Sequence, residues 1–169
     1  MNIDTLKNEL INIEKLRPAL KVLIDSYDKI IILGNGGSNS IASHVSQDYT
    51  KALGKKSFTF SDASRLTCYI NDYGMENAYS QYLSEFSCKN TLVILISSSG
   101  ESNNILNAAD YCANNNLRFL TLTGFKKNNR LNQFAKSDLN YWVNSDDYGI
   151  VECAHLIFLH SVVNYQVKK

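Results

Sequence analysis

The chain has 169 residues, and its 17 lysine and arginine side chains nearly balance its 16 aspartate and glutamate side chains, for a formal net charge of +1. This length suits one domain with a sizeable core, and the balanced charge shows no excess of basic residues that would indicate a nucleic-acid or membrane-surface partner. No apolar run approaches the roughly 20 residues of a membrane span. The N-terminus has no basic-then-apolar signal pattern, so we expect a cytoplasmic protein.

The spacing of the cysteines predicts neither a disulfide framework nor a zinc site. The four thiols are scattered along the chain without a close pair, at Cys68, Cys88, Cys112 and Cys153. We therefore expect free thiols in a reducing compartment, most of them filling the core.

The first element in chain order is an amphipathic helix over residues 3–24. Apolar side chains recur there every three or four residues, at Ile3, Leu6, Leu10, Ile13, Leu16, Leu20 and Leu23. Pro18 should kink this helix or divide it in two. We interpret residues 1–28 as an oligomerisation helix, although the pattern fits packing on the chain's own domain equally well.

An alternation of strands and helices follows. Strands are predicted at 29–33, 57–60, 91–96, 118–122 and 139–143. Helices are predicted at 38–53, 64–71, 75–86, 102–114 and 149–167, with a further short helix opened by the polar run 126–130. Continuous apolar strands that alternate with helices predict a parallel sheet covered on both faces, so we interpret residues 29–169 as one α/β domain.

Two of the predicted strands stop abruptly at small residues. Gly34-Asn35-Gly36-Gly37-Ser38 follows the first strand, and Ser97-Ser98-Ser99-Gly100-Glu101-Ser102 follows the third. Each run precedes a helix, so backbone N–H groups and the positive end of a helix dipole point at one place, which suits a phosphate group. The serine run also fits a polar loop whose last serine caps the helix. Together the two turns predict a site for a phosphorylated small molecule at the carboxyl ends of the strands.

These runs, in order with Ser61-Asp62, Asn71-Asp72-Tyr73-Gly74 and Leu122-Thr123-Gly124, resemble the sugar isomerase (SIS) domain family, and within it the bacterial phosphoheptose isomerases. The resemblance extends from the first strand to the final helix. It implies a three-layer α/β sandwich with a five-stranded parallel sheet of the flavodoxin or Rossmann type, preceded in the chain by the long N-terminal helix. It also implies a homotetramer with active sites between subunits.

The resemblance implies isomerisation of sedoheptulose 7-phosphate to D-glycero-D-manno-heptose 7-phosphate for surface-polysaccharide synthesis, so the expected partner is a phosphorylated seven-carbon sugar. It implies one Zn²⁺ ion per active site, held by His44, Asp48, Glu152 and His160. Asp48 and His160 would also act as catalytic base and acid. The implied substrate-binding residues are Asn35, Gly36, Gly37, Ser38, Asp72, Ser97, Ser98, Ser99 and Ser102.

Helical spacing is compatible with the metal ligands. His44 and Asp48 lie four residues apart and so share one helix face. Glu152 and His160 lie roughly 80° apart around the final helix, close enough to face one pocket. Taken singly, each histidine also fits a buried structural role, and Asp72 fits a turn cap.

The chain departs from the pattern of this family at several of these positions. Asp48 stands where glutamate is usual, Glu152 where glutamine is usual, and Ala52 where arginine is usual. Gly149-Ile150 occupies the place of an Asp-Arg pair. The stem of Asp48 is about 1.5 Å shorter than that of glutamate, and a misplacement near 1 Å costs on the order of a hundredfold in rate.

Two alternative functions stay open at this point. One is a non-catalytic tetrameric SIS protein that binds a protein partner such as the replication initiator. The losses at Ala52 and Gly149-Ile150 favour it, whereas the retained histidines and carboxylates oppose it. The other is an isomerase of a different phosphosugar, because the shape of the pocket sets which sugar is bound.

Overall fold

The computed structural model describes residues 3–163, and within this part the chain forms six helices and five strands. The helices are α1 (Ile3–Ser26), α2 (Gly37–Leu53), α3 (Ala63–Tyr73), α4 (Ala78–Phe86), α5 (Asn103–Asn114) and α6 (Tyr148–His160). The strands are β1 (Lys29–Gly34), β2 (Lys56–Thr59), β3 (Thr91–Ser97), β4 (Arg118–Thr123) and β5 (Leu139–Trp142).

The five strands pair in parallel into one sheet, in the order β2-β1-β3-β4-β5. The predicted α/β sandwich with a five-stranded parallel sheet and a long leading helix is therefore confirmed. The strand order reverses between β1 and β3, and open sheets of this kind bind ligands beside the carboxyl ends of such a pair. Because Gly34 pairs with Ile96, the two small-residue turns emerge side by side at this edge.

Side chains that alternate along the strands divide the core into two layers. Ile30 and Ile32 of β1 are buried in a layer shared with α1, α2 and α6. Ile31 and Leu33 are buried in a second layer shared with α4 and α5. Each buried aliphatic side chain contributes roughly 1.5–3 kcal/mol, so both layers stabilise β1 at the centre of the sheet.

Helix α1 packs on its own domain, one of the two arrangements that its pattern fits. Three of its apolar side chains are buried in the layer shared with α6, at Ile13, Leu20 and Ile24. The helix is continuous through Pro18, so the predicted division into two helices does not occur. Large apolar side chains elsewhere on α1 are exposed, at Ile3, Leu10, Ile11 and Val22.

One predicted helix is absent, and another begins later than predicted. Residues 126–130 form turns, because the side-chain amide of Asn129 donates to the carbonyl oxygens of Gly124 and Lys126, and such local bonds compete with helix formation. Helix α4 begins only at Ala78, after a turn over 75–77.

The final helix ends earlier than predicted, at His160, and is followed by a turn. The rest of its predicted span, residues 164–167, lies outside the described residues. None of the helices described between residues 3 and 163 is long and apolar enough to cross a membrane.

The cysteines are free thiols, as predicted, but most of them do not fill the core. Only Cys112 is buried, whereas Cys68, Cys88 and Cys153 are exposed. Burial raises the pKa of the Cys112 thiol to about 12, so that side chain acts as a small apolar group.

Candidate active site

Side-chain hydrogen bonds tie the turn after β1 to the start of α5. The amides of Asn35 and Asn104 bond reciprocally, each Nδ2 donating to the other Oδ1 at 2.9 Å. Tyr79 Oη donates to the carbonyl oxygen of Gly34 at 2.6 Å and to Asn35 Oδ1 at 3.0 Å. Asn35, which was predicted as a substrate contact, therefore also fixes the position of its own turn. Sequence reasoning missed Asn104 and Tyr79, which are distant in the chain and carry no motif.

The two turns enclose a pocket of about 240 Å³. Its lining residues are Asn35, Gly36, Gly37, Ser38, Ile96, Ser97, Ser98, Ser99, Ser102, Tyr148 and Glu152. Every predicted substrate-binding residue except Asp72 lines it. Tyr148, at the start of α6, also lines it and was not predicted.

Asp72 lies away from this pocket, on the exposed surface of α3. Its carboxylate accepts hydrogen bonds from Asn71 Nδ2 at 2.9 Å and from the Cys68 thiol at 3.4 Å. The C-cap position of this helix belongs to Gly74. A substrate role for Asp72 stays a prediction.

The serine turn after β3 offers hydroxyl groups to the pocket. Ser102 occupies the N-cap position of α5, but its hydroxyl makes no capping hydrogen bond and instead accepts from Ser97 Oγ at 3.2 Å. The Ser98 hydroxyl is buried and has no partner among the described residues. An unpaired buried hydroxyl costs roughly 1–3 kcal/mol, which a bound acceptor group would recover. These contacts favour ligand binding over a purely structural cap.

The glycine turn after β1 already faces an anionic group of the protein itself. A Cβ atom at Gly37 would overlap the carboxylate of Glu152, so glycine makes room for that side chain. Gly37 is the first residue of α2, where the helix dipole favours negative charge. Of the two turns, only the serine turn is therefore open to an external anion.

Two histidines converge on Asp48 beside this pocket. His160 Nε2 lies 2.9 Å and His44 Nε2 lies 3.4 Å from Asp48 Oδ2. The side chain of Asp48 is only 9% exposed, whereas that of His44 is 58% exposed. The cluster therefore has a buried carboxylate at its base and an imidazole at its solvent side.

A neighbouring contact fixes the two helices that carry this cluster. Tyr49 Oη, on α2, donates to the carbonyl oxygen of Leu159, on α6, at 2.9 Å. Burial raises the pKa of Tyr49, which keeps the phenol protonated as a donor. Because Tyr49 and Leu159 each adjoin a member of the cluster in sequence, this bond sets the approach of Asp48 to His160.

The cluster has the chemistry of a transition-metal site. His44, Asp48 and His160 each offer one ligand atom, and these three atoms lie within 4.8 Å of one another. Two imidazole nitrogens and one carboxylate oxygen form a donor set that is common for zinc. The residues present therefore fit the metal that the resemblance implies.

Glu152, the fourth predicted ligand, is not part of this cluster. Its angular relation to His160 predicts a shared pocket, but eight residues also separate their Cα atoms by about 12 Å along the helix axis. In this structure its carboxylate lies against Gly37 instead. A ligand role for Glu152 stays a prediction.

A second depression of about 460 Å³ is lined by His44, one member of the histidine cluster. Gly36 lines both cavities, and His44 lines the second one together with Ser43, Gln47 and Ser61. The two cavities therefore adjoin at Gly36.

The third histidine serves the core rather than the site. His155 is fully buried, and its Nε2 hydrogen-bonds with the carbonyl oxygen of Thr123 at 3.1 Å. Burial lowers the pKa of this imidazole to about 4, so it is neutral near pH 7.

Comparisons with known proteins place these features in context. The chain is 32% identical over 157 residues to the phosphoheptose isomerase of Helicobacter pylori, which covers 87% of this chain and 80% of that protein. It is 31% identical over 121 residues to the phosphoheptose isomerase of Hamiltonella defensa, which covers 67% of this chain. This second match spans only 59% of the relative's length. No protein-family profile matches the chain.

The fold is also similar to solved structures. The phosphoheptose isomerase of Neisseria gonorrhoeae superposes with a TM-score of 0.79 at 21% identity, over 95% of this chain and 92% of that one. At this level of identity the likeness concerns the fold alone.

Proposed function

Because the chain belongs to the phosphoheptose isomerase family, we propose that it interconverts sedoheptulose 7-phosphate and D-glycero-D-manno-heptose 7-phosphate. The observation that carries this proposal is the convergence of His44 and His160 on Asp48 Oδ2, next to a serine-lined pocket. A base, an acid and an anion-binding turn are the parts that an aldose–ketose isomerase of a phosphosugar needs.

In this proposal the serine turn binds the phosphate group. The Ser98 hydroxyl, which has no protein partner in the described chain, donates to a phosphate oxygen together with Ser97, Ser99 and Ser102. The glycine turn holds the uncharged sugar rather than a second anion, because the Glu152 carboxylate lies against Gly37. The reactive end of the sugar then lies towards the histidine cluster.

Proton transfer in this proposal uses two neighbouring side chains. The Asp48 carboxylate takes a proton from C1 of the ketose, and the electron pair of that C–H bond forms the C1–C2 double bond of an enediol. The C2 carbonyl oxygen takes a proton from His160. The Asp48 carboxyl group exchanges its proton with solvent and then protonates C2, and loss of the O1 proton to His160 gives the aldose. The distance of 2.9 Å between His160 Nε2 and Asp48 Oδ2 supports their action on adjacent atoms.

The same residues are proposed to hold one zinc ion. His44, Asp48 and His160 are its proposed ligands, with Glu152 as a fourth that would have to leave Gly37. Zinc bound there would supply Lewis-acid polarisation of the sugar oxygens.

The proposed assembly is a homotetramer with active sites between subunits. Large exposed apolar side chains on α1 and near α3 support contact with further copies, at Leu10, Ile11, Val22, Phe58, Tyr73 and Met75. Light scattering should give a tetramer in solution, and a monomer at micromolar concentration would contradict this assembly. A cytoplasmic location and a role in surface-polysaccharide synthesis stay predictions.

The direct test incubates the purified chain with sedoheptulose 7-phosphate and zinc, and follows the aldose by NMR. Conversion to an equilibrium mixture is the expected result. A folded, zinc-loaded protein that leaves the ketose unchanged would refute the proposed reaction. A tetramer that neither contains nor binds zinc on titration would instead favour the non-catalytic alternative, which the intact histidine cluster does not support.

A further inference from the structure

The loop between β4 and β5 (residues 124–138) folds back onto the serine turn. At its centre Asn129 is polar yet only 2% exposed. Its Nδ2 donates to the carbonyl oxygens of Gly124 at 3.1 Å and Lys126 at 2.8 Å. Its Oδ1 accepts from the backbone N–H of Asn132 at 2.8 Å. One side chain therefore shapes the first half of this loop.

Consecutive residues of the loop contact the serine turn. A Cβ atom at Gly100 would overlap the amide of Asn129, so that amide lies directly against the glycine. The backbone N–H of Leu131 donates to the carbonyl oxygen of Gly100 at 3.1 Å. The backbone N–H of Arg130 donates to Glu101 Oε1 at 3.0 Å.

These contacts act on two residues of the serine turn, Gly100 and Glu101. Gly100 has a φ of 69°, one of several conformations open to glycine, and the contacts of Asn129 and Leu131 select it. Glu101 carries negative charge inside a turn proposed to receive a phosphate group, where free movement would bring like charges together. The loop therefore fixes the backbone conformation of Gly100 and holds the carboxylate of Glu101 at the N–H of Arg130.

We propose that Asn129 is a positioning residue for phosphate binding, and that the β4–β5 loop preorganises the serine turn through Gly100 and Glu101. This inference rests on the proposed function, which it deepens: it assigns the loop to recognition of the phosphate group rather than to proton transfer. Preorganised donors bind an anion more tightly because less ordering is needed at the moment of binding.

The first experiment compares Asn129→Ala with the matched control Asn128→Ala, which changes an exposed asparagine of the same loop. Binding of inorganic phosphate to the full chain is measured by calorimetry, and thermal unfolding checks that each variant is folded. Asn129→Ala should weaken phosphate binding and raise KM for the phosphosugar about tenfold with kcat within about twofold, the pattern of lost uniform binding. Asn128→Ala should change neither. Unchanged phosphate binding in folded Asn129→Ala, or a loss confined to kcat, would overturn the proposal.

A second pair of variants decides the question if Asn129→Ala does not fold. Glu101→Gln and Glu101→Ala both remove the charge, but only glutamine keeps an oxygen that can accept from the N–H of Arg130. Glu101→Ala should bind phosphate about threefold more weakly than Glu101→Gln. Equal phosphate affinities of the two variants would show that the hydrogen bond between Arg130 and Glu101 has no role in phosphate binding, which would contradict the proposal. Because phosphate binding needs no turnover, an inactive wild-type protein would refute the proposed reaction and leave this comparison valid.

Discussion

Asp48 meets both histidines through a single oxygen atom. The family resemblance predicts a problem of reach at this position, because aspartate is one methylene shorter than the usual glutamate. In the structure, however, the Oδ2 atom lies 2.9 Å from His160 Nε2 and 3.4 Å from His44 Nε2. The shorter stem therefore suffices to assemble the cluster, because α2 and α6 approach closely at Tyr49 and Leu159.

Asp48→Asn tests the proposed base and metal ligand together. The amide keeps the shape of the side chain but cannot take a proton, so kcat should fall by about 10²–10⁴-fold, and zinc affinity should fall as well. Steady-state kinetics and zinc titration measure the two effects. The matched control Asp110→Asn alters an exposed aspartate on α5, on the other side of the sheet, and should leave both unchanged. Full activity in Asp48→Asn would exclude it as the base.

Ser98→Ala separates a ligand contact from a structural hydroxyl. Because Ser98 Oγ is buried without a partner in the described chain, its removal should not lower the free energy of unfolding. KM for the phosphosugar should nevertheless rise about fivefold to tenfold, since one charge-assisted hydrogen bond is lost. Ser57→Ala removes another buried, unpartnered hydroxyl, on β2, and serves as the control with unchanged KM. A destabilised Ser98→Ala variant with normal KM would assign this hydroxyl to the fold.

At the scale of elements, α1 is fastened to the sheet by a buried carboxylate. Glu9 Oε2 accepts from Tyr141 Oη at 3.2 Å, and Oε1 accepts from the backbone N–H of Asn144 at 3.4 Å. The apolar stripe predicts this helix but not the buried charge, because a glutamate within a helical pattern normally indicates a solvent-exposed face.

Glu9→Ala should lower the free energy of unfolding by roughly 1–3 kcal/mol, because the buried hydroxyl of Tyr141 loses its acceptor, whereas the N–H of the exposed Asn144 can donate to water. Urea unfolding followed by circular dichroism measures the change. Glu14→Ala, on the same helix, provides the comparison, since the side chain of Glu14 is 71% exposed and its ion-pair partner, Arg17, is also at the surface. A difference between the two variants below about 0.5 kcal/mol would mean that Glu9 does not anchor the helix.

The strands and most helices follow from apolar periodicity, whereas the absent helix reflects a side chain that bonds to backbone groups of its own loop. Continuous apolar runs such as 91–96 predict the central strands because both faces are buried. The predicted helix after Lys126 is wrong because Asn129 bonds to backbone groups across the loop and against Gly100. No periodicity reports such contacts, since they depend on the position of the neighbouring turn.

At the scale of the whole molecule, the sequence predicts the turns at the strand ends better than it predicts the histidine cluster between two helices. The serine and glycine turns were predictable because each follows a strand end, and parallel strands bring such ends to one edge. The histidine cluster depends on the approach of α2 to α6, which spacing along either helix does not define. Glu152 shows the limit of helical spacing as a predictor of site residues. Its angle around the helix places it near His160, but its distance from His160 along the helix axis separates the two side chains.

His155 should make the stability of the whole molecule depend on pH. Its pKa is lowered to about 4 by burial, against about 6.5 in the unfolded chain, so only the unfolded chain gains this proton between those values. The free energy of unfolding should therefore decrease as pH falls from about 6.5, by roughly 2 kcal/mol at pH 5 from this residue. Urea unfolding at pH 7 and pH 5 measures it. In the His155→Leu variant the decrease in the free energy of unfolding between pH 7 and pH 5 should be smaller by this amount. An unchanged decrease would contradict the attribution to His155.

The most direct test of the account is conversion of sedoheptulose 7-phosphate in D₂O by the zinc-loaded chain, followed by NMR. Transfer through an enediol by the Asp48 carboxylate predicts aldose that carries deuterium at C2, because a proton held by a carboxylate exchanges with solvent. The same sample with Asp48→Asn should show little conversion. Absence of conversion by the folded, zinc-loaded protein, or product that carries only protium at C2, would contradict the proposed reaction.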